Sequence, residues 1–421
     1  MRTRRDTQFP ATFISRRTAV SFQPETAAIR PITIDFPEAE LEELRRRIAT
    51  TRWPEAETVK DQSQGTQLET LKELARYWAE EYDWRKIEAK LQAVPNFVTE
   101  IDGLDIHFIH VRSKHENALP LIVTHGWPGS IIEQMKLIEP LTNPTAHGGD
   151  ASDAFHVVIP SMPGYGFSGK PTSAGWNPAR IARAWAELMQ RLGYTKYAAQ
   201  GGDWGAIVTD LMGAQAPQGL LGIHTNMAGV VPPALEQAIA AGNPPPSDVV
   251  LSNDEERRAV EQLDFVYRHV AYAHMMGSRP QSLAGLTDSP VGLAAFMLDH
   301  DRDSLDLISR AFAGQTEGLS RDDVLDNITL FWLTKSAISA ARVYWENAEA
   351  GIQFFGVKGV KLPVAVSVFP DELYQAPRSW AEKAYPNLIH YNRLPKGGHF
   401  AAWEQPEAFV NEVRNGLRPL R

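Results

Sequence analysis

The chain has 421 residues, 43% hydrophobic and 22% charged, with 51 acidic against 42 basic side chains. That length suits one large α/β domain with an appendage, and the composition excludes a disordered, fibrous or collagen-like chain. A net charge of −9 leaves no basic footprint for nucleic acid and points to a neutral substrate, while the absence of cysteine excludes disulfides, thiolate nucleophiles and Cys-ligated metal or iron–sulfur centres.

Residues 1–30 read as a mobile leader. Ser15-Arg16-Arg17 has the look of a twin-arginine signal, but Thr18 to Glu25 turns polar and proline-bearing where a signal needs an apolar run. Export is therefore not expected, and a cytoplasmic location is. The sequence contains no run of about 18 apolar residues, so neither a spanning helix nor a membrane anchor is expected.

Pro37 opens a helix with Leu41, Leu44 and Ile48 at helical spacing. A second helical segment over 67–91, bent near Asp83, carries Leu68, Leu71, Leu74 and Trp78 on one side, so 31–95 form a helical N-terminal region. After Pro95 the period becomes that of strands, with 97–101 and 104–111 flanking the hairpin signal Asp102-Gly103. Short apolar runs follow at 119–124, 155–160, 196–200, 220–225, 362–368 and 388–392. Helical stretches such as 181–192 and 206–214 lie between the earlier ones, the alternation of a mostly parallel sheet. From about 226 to 361 the pattern is helical throughout. The expected division is a core of 96–226 and 362–421 with a helical cap over 227–361.

The strand ending at Gln200 runs into Gly201-Gly202-Asp203-Trp204-Gly205 and then a helix. Small-x-nucleophile-x-small is the pattern of a nucleophile elbow, where glycines permit the turn that lifts one side chain above the sheet. Here that side chain is Asp203. A glycine-rich turn whose Asp merely caps the helix would look the same. Two further matches stand in the expected order. His125-Gly126-Trp127-Pro128 follows an earlier strand, where a hydrolase of this type aims a backbone N–H at the nucleophile, so the Trp127 and Trp204 N–H groups are the candidate oxyanion hole. His399 follows the last strand, completing the chain order nucleophile, acid, histidine. Metal and dinucleotide readings are weak: His107 and His110 point to opposite faces of one strand, no His-Glu-x-x-His occurs, and Gly164-x-Gly166 lacks a third glycine. No metal and no cofactor are expected.

On these residues the chain resembles the α/β-hydrolase-fold epoxide hydrolases, and within them the microsomal epoxide hydrolase branch, over about residues 30–420. The matching segments are Trp53-Pro54, His125-Gly126-Trp127-Pro128-Gly129-Ser130, Gly164-Tyr165-Gly166-Phe167-Ser168, the elbow, Asp288-Ser289-Pro290-Val291-Gly292-Leu293 and Gly397-Gly398-His399-Phe400. The chain departs from the branch's membrane-bound members, which begin with a hydrophobic anchor. The resemblance implies an α/β-hydrolase fold, a mostly parallel sheet with helices on both faces, carrying a helical cap between two strands and an N-terminal helical meander. It implies Glu372 as the triad acid, with adjacent Asp371 the alternative and Glu404 a weaker rival placed at the start of the last helix. It also implies two cap tyrosines, Tyr272 and Tyr344, that hydrogen-bond an epoxide oxygen; Tyr267 is the alternative to Tyr272, and Tyr165 is assigned to the loop shaping the pocket floor.

By that resemblance Asp203 would attack an epoxide carbon, and His399, oriented by the acid, would activate the water that releases a vicinal diol. The implied partner is a small, neutral, largely apolar epoxide, with no nucleic acid, and a homodimer is left open. A haloalkane dehalogenase would share the Asp nucleophile and following Trp but needs side-chain donors for a halide. An ester hydrolase would carry Ser at 203, and a silent binding protein of this fold would not keep Asp203, His399 and an acid together.

Overall fold

The apolar runs become strands, the central ones buried on both faces as a mostly parallel sheet sandwiched between helices requires, and an exposed two-residue strand at Arg30–Pro31 joins them at one edge. In the computed structural model, which describes residues 28–421, they are β1 (Arg30–Pro31), β2 (Asn96–Ile101), β3 (Leu104–Val111), β4 (Leu119–Thr124), β5 (Phe155–Pro160), β6 (Tyr197–Gly201), β7 (Leu220–Thr225), β8 (Val364–Val368) and β9 (Leu388–Arg393). They form one sheet in the order β1-β2-β3-β5-β4-β6-β7-β8-β9. Pairing is antiparallel from β1 to β5 along this order and parallel from there to β9. Most of the leader expected over 1–30 lies outside the described residues; Arg30 itself belongs to β1, paired with Val98.

Asp102 and Gly103 both take positive φ, 53° and 78°, the conformation a two-residue hairpin turn needs, and they set the register Ile101↔Leu104. The strand order turns back on itself around β4, which has β5 on one side and β6 on the other. Such a switch point opens a crevice beyond the carboxyl ends of the strands. Thr124 pairs with Gly201, so the loops that leave β4 and β6 start side by side.

Three N-terminal helices, Glu38–Ala49, Leu68–Glu80 and Trp84–Gln92, follow the expected pattern. The bend near Asp83 is a helix start, because the Asp83 side chain accepts the Arg85 N–H. Seven α-helices lie between β7 and β8, from Pro233–Ala240 to Ala337–Glu349. The N-terminal helices dock on one of these, Arg321–Thr334: Trp78 Nε1 donates to Thr329 Oγ1 at 2.9 Å, and the Tyr82 hydroxyl to Asp326 Oδ1 at 2.8 Å. Asn327 of the same helix accepts from Ser130 Oγ at 2.7 Å and donates to the Pro128 carbonyl at 2.8 Å, tying it to the loop after β4.

The helix Ile131–Thr142 has no counterpart in the sequence reading. It contains Pro140 and is buried on most sides, so it lacks the polar face that gives a surface helix its period. Glu404 ends a short turn, Ala401–Glu404, and the last α-helix is Pro406–Leu417. Among the described residues no helix is long and apolar enough to cross a membrane.

Candidate active site

Asp203 stands between β6 and the helix Trp204–Gln215 with φ 51° and ψ −127°, a conformation that L residues rarely adopt. Its neighbours make the turn possible. A Cβ on Gly205 would lie 2.0 Å from the Thr124 carbonyl oxygen, and one on Gly126 would lie 2.0 Å from Asp203 Oδ1. Hydrogen at these two positions lets the helix pack on the sheet and lets the loop after β4 close on the carboxylate. Trp127 N–H donates to Asp203 Oδ1 at 2.6 Å. Among the described residues no second backbone donor reaches that carboxylate, so the Trp204 N–H expected beside it does not contact it in this state.

The other carboxylate oxygen, Oδ2, lies 3.6 Å from His399 Nε2, and His399 Nδ1 lies 2.6 Å from Glu372 Oε1. Asp371, the alternative acid, is exposed; its backbone N–H donates to the Gly397 carbonyl instead. Glu404 accepts from the N–H groups of Gly398 and Phe400, both at 3.0 Å, and so holds the backbone of the histidine loop. Burial alone would lower the His399 pKa. The Glu372 carboxylate, by charge and hydrogen bond, outweighs it, Asp203 and Asp301 add to the effect, and the pKa is pushed up to about 10.

Tyr272 and Tyr344 come from the helices Ala271–Ser278 and Ala337–Glu349, with ring centroids 6.0 Å apart, edge to face. Burial first, and the nearby Asp203 charge, raise both phenols well above their ordinary pKa, so both hold their protons at neutral pH. Tyr267 is committed elsewhere: its hydroxyl donates to Glu236 Oε1 at 2.7 Å. Tyr165 is buried, with its ring 5.1 Å from that of His125 and 6.0 Å from that of Phe331. Aromatic rings continue around the carboxylate. Trp127 packs edge-on against Phe296 and Phe331, Trp204 against Tyr344, and Tyr272 against Phe296.

Two residues that sequence patterning passed over also face this centre. The His300 ring lies 4.2 Å from that of His399 and 5.4 Å from that of Tyr272, with Nδ1 2.8 Å from Asp301 Oδ2. Its only local signal is the adjacent Asp. Glu133, on the helix Ile131–Thr142, is buried and its carboxyl is pushed up to about 8 by desolvation. Asp203, His300 and His399 are the one group of three acid or histidine side chains among the described residues with ligand atoms within 4.8 Å of one another. Asp203 and His399 are already paired in it.

Residues 29–134 match the family model described as epoxide hydrolase N terminus, and 120–288 match that of the alpha/beta hydrolase fold. The chain is 51% identical over 402 residues to a Stigmatella aurantiaca protein assigned to the epoxide hydrolases, covering 93% of this chain and 86% of that one. It is 34% identical to epoxide hydrolase 1 of Oryctolagus cuniculus over 92% of this chain and 88% of the relative. The crystal structure of juvenile hormone epoxide hydrolase from the silkworm Bombyx mori superimposes with a TM-score of 0.81 at 31% identity, covering 94% and 95% of the two chains. The sheet with its elbow, the helical insertion and this degree of identity together make the chain a member of the epoxide hydrolase family, enzymes built on the α/β-hydrolase fold.

Proposed function

We propose that the enzyme opens its epoxide through a covalent ester on Asp203. The observation that carries this reading is the line Glu372–His399–Asp203, spanned by contacts of 2.6 and 3.6 Å, with two protonated phenols across the carboxylate. In the first half-reaction an Asp203 oxygen forms a bond to a ring carbon as the C–O bond breaks, and a phenol gives its proton to the leaving oxygen. Ester formation removes the Asp203 charge, one of the anions that keep His399 protonated. The imidazolium can then release its proton, and Nε2 becomes a base.

In the second half-reaction water loses a proton to His399 Nε2 as its oxygen bonds to Asp203 Cγ. The carbonyl π pair moves to the oxygen facing the Trp127 N–H, with Trp204 N–H as the second donor of the same hole. Collapse expels the diol oxygen, which takes the proton from His399. The carboxylic acid left on Asp203 reprotonates the tyrosinate, His399 takes back from solvent the proton it released there after alkylation, and every group returns to its starting state. The substrate proposed is a small, largely apolar epoxide, a reading supported by the aromatic rings around Asp203. A panel of styrene-type, terpene-type and fatty-acid epoxides, followed by chromatography of the diols, tests the activity. Release of halide from haloalkanes with no diol from any epoxide would overturn it.

A further inference from the structure

A small cavity of about 20 Å³ lies against Asp203, enclosed by Glu133, Gln134, Gln200, Asn226 and His399 among others. That is room for one water. None of its lining residues comes from the helices that carry Tyr272 and Tyr344. The cavity therefore opens on Asp203 and His399 from the side of the sheet, while the phenols address the carboxylate from the inserted helices.

Its walls hold acceptors without partners. Gln134 Nε2 donates to Glu133 Oε1 at 2.8 Å and Gln200 Nε2 to Asn226 Oδ1 at 3.1 Å, which leaves both amide oxygens, Gln134 Oε1 and Gln200 Oε1, buried and unbonded within the protein. A buried carbonyl is rarely left unpaired, and a polar space of this size is where a bound water satisfies one. We propose that this cavity seats the water that hydrolyses the Asp203 ester, and that Glu133, Gln134 and Gln200 hold it in the attacking orientation.

The orientation follows from counting bonds. A water here gives one O–H to His399 Nε2 and the other to an amide oxygen, which leaves a lone pair directed at Asp203 Cγ. On attack that lone pair forms the C–O bond, the proton passes to Nε2, and the water oxygen stays in the regenerated carboxylate. Glu133, with its carboxyl pushed up to about 8, is largely uncharged at neutral pH. It anchors the Gln134 amide without setting a second negative charge beside Asp203 before alkylation. Because the phenols that bind the epoxide oxygen come from helices outside the cavity's lining, the water stays in place when the ester forms.

The inference rests on the ester mechanism, so the experiment runs both together. Single-turnover mixing with a styrene-type epoxide, quenched for intact-protein mass and product, separates alkylation from hydrolysis in Glu133→Met, Glu133→Gln, Gln200→Met and His399→Gln. Glu133→Met keeps the volume and removes both oxygens; it is expected to alkylate normally and hydrolyse about 10²-fold more slowly, the loss that misplacing a reactant causes. Glu133→Gln, which keeps the shape and a bond to Gln134, should recover most of that rate. Gln200→Met should behave like Glu133→Met and serves if that variant fails to fold. If His399→Gln accumulates ester while both Met variants hydrolyse at the wild-type rate, or slow both steps equally, the water seat is overturned. If His399→Gln accumulates none, it is the ester mechanism that fails.

Discussion

His399 Nδ1 lies 2.6 Å from Glu372 Oε1, and both side chains are 1% exposed. A carboxylate this close, screened from water, fixes the ring so that Nε2 faces Asp203 and holds a proton on the imidazole far above its usual range.

The two partners should fail differently when replaced. His399→Gln is expected to form the ester and stall, so that intact-protein mass spectrometry finds the enzyme heavier by one substrate. Glu372→Gln should slow the same hydrolytic step less, as an orienting group costs less than the base it orients. Asp371→Asn, on the exposed neighbour, should leave both steps near wild type; a severe defect there would move the acid to Asp371.

Asp203→Ala should remove diol formation, by at least about 10³-fold, while the circular dichroism spectrum and melting temperature stay close to wild type. The side chain is lifted out of the turn and holds one hydrogen bond from the Trp127 N–H, so packing loses little. A few percent of residual turnover, contamination excluded, would sink covalent catalysis.

Charge develops on the epoxide oxygen during alkylation, and each phenol is a donor to it. Tyr272→Phe or Tyr344→Phe should slow alkylation by about 10²–10³-fold, equivalent to roughly 2.7–4 kcal/mol, and less where the partner phenol compensates. The double variant should be nearly inactive. Phe keeps the ring contacts with Phe296, Trp204 and the partner position, so thermal stability should barely move. Wild-type alkylation rates in all three variants would leave the tyrosines as core residues.

The raised His399 pKa also ties stability to pH. The folded state binds one proton more than the unfolded chain between the ordinary histidine value of 6.5 and about 10. Its contribution is complete below 6.5 and is lost as pH rises through 10, at a slope of about 1.4 kcal/mol per pH unit for that proton. Urea unfolding at intervals from pH 6 to pH 10 should therefore show wild type losing stability more steeply than His399→Gln. Parallel curves would mean that the imidazole is neutral in the resting enzyme.

Gly205→Ala tests the elbow's packing. Its Cβ would stand 2.0 Å from the Thr124 carbonyl, a backbone atom that cannot swing aside, so a loss of about 1–3 kcal/mol or more is expected. Gly277→Ala, whose nearest neighbour would be 4.0 Å away on the Tyr344 carbonyl, serves as the control in the same melting experiment and should be neutral or mildly stabilising.

The sequence by itself determined what depends on neighbours along the chain. The Asp102-Gly103 turn, the bend at Asp83, the alternation of apolar runs with helices and the glycines around Asp203 all act through backbone conformation and short-range periodicity, and each appears within three residues of its expected place. Composition and order also placed Asp203, His399 and a nearby acid as candidates, because an elbow and a loop after the last strand announce themselves locally. Tertiary packing decided the rest. Asp371 and Glu372 are adjacent and chemically alike, and only the path of the loop turns one toward His399 and the other to solvent. Tyr267 and Tyr272 stand on consecutive helices, and which hydroxyl is free depends on Glu236, thirty-one positions from Tyr267 in the chain. Glu133 and His300 carry no motif. They meet Asp203 and His399 because the helix Ile131–Thr142 and the bend before the helix Arg302–Phe312, from distant parts of the chain, come together at one switch point of the sheet, where desolvation and proximity, which no local pattern records, set their chemistry.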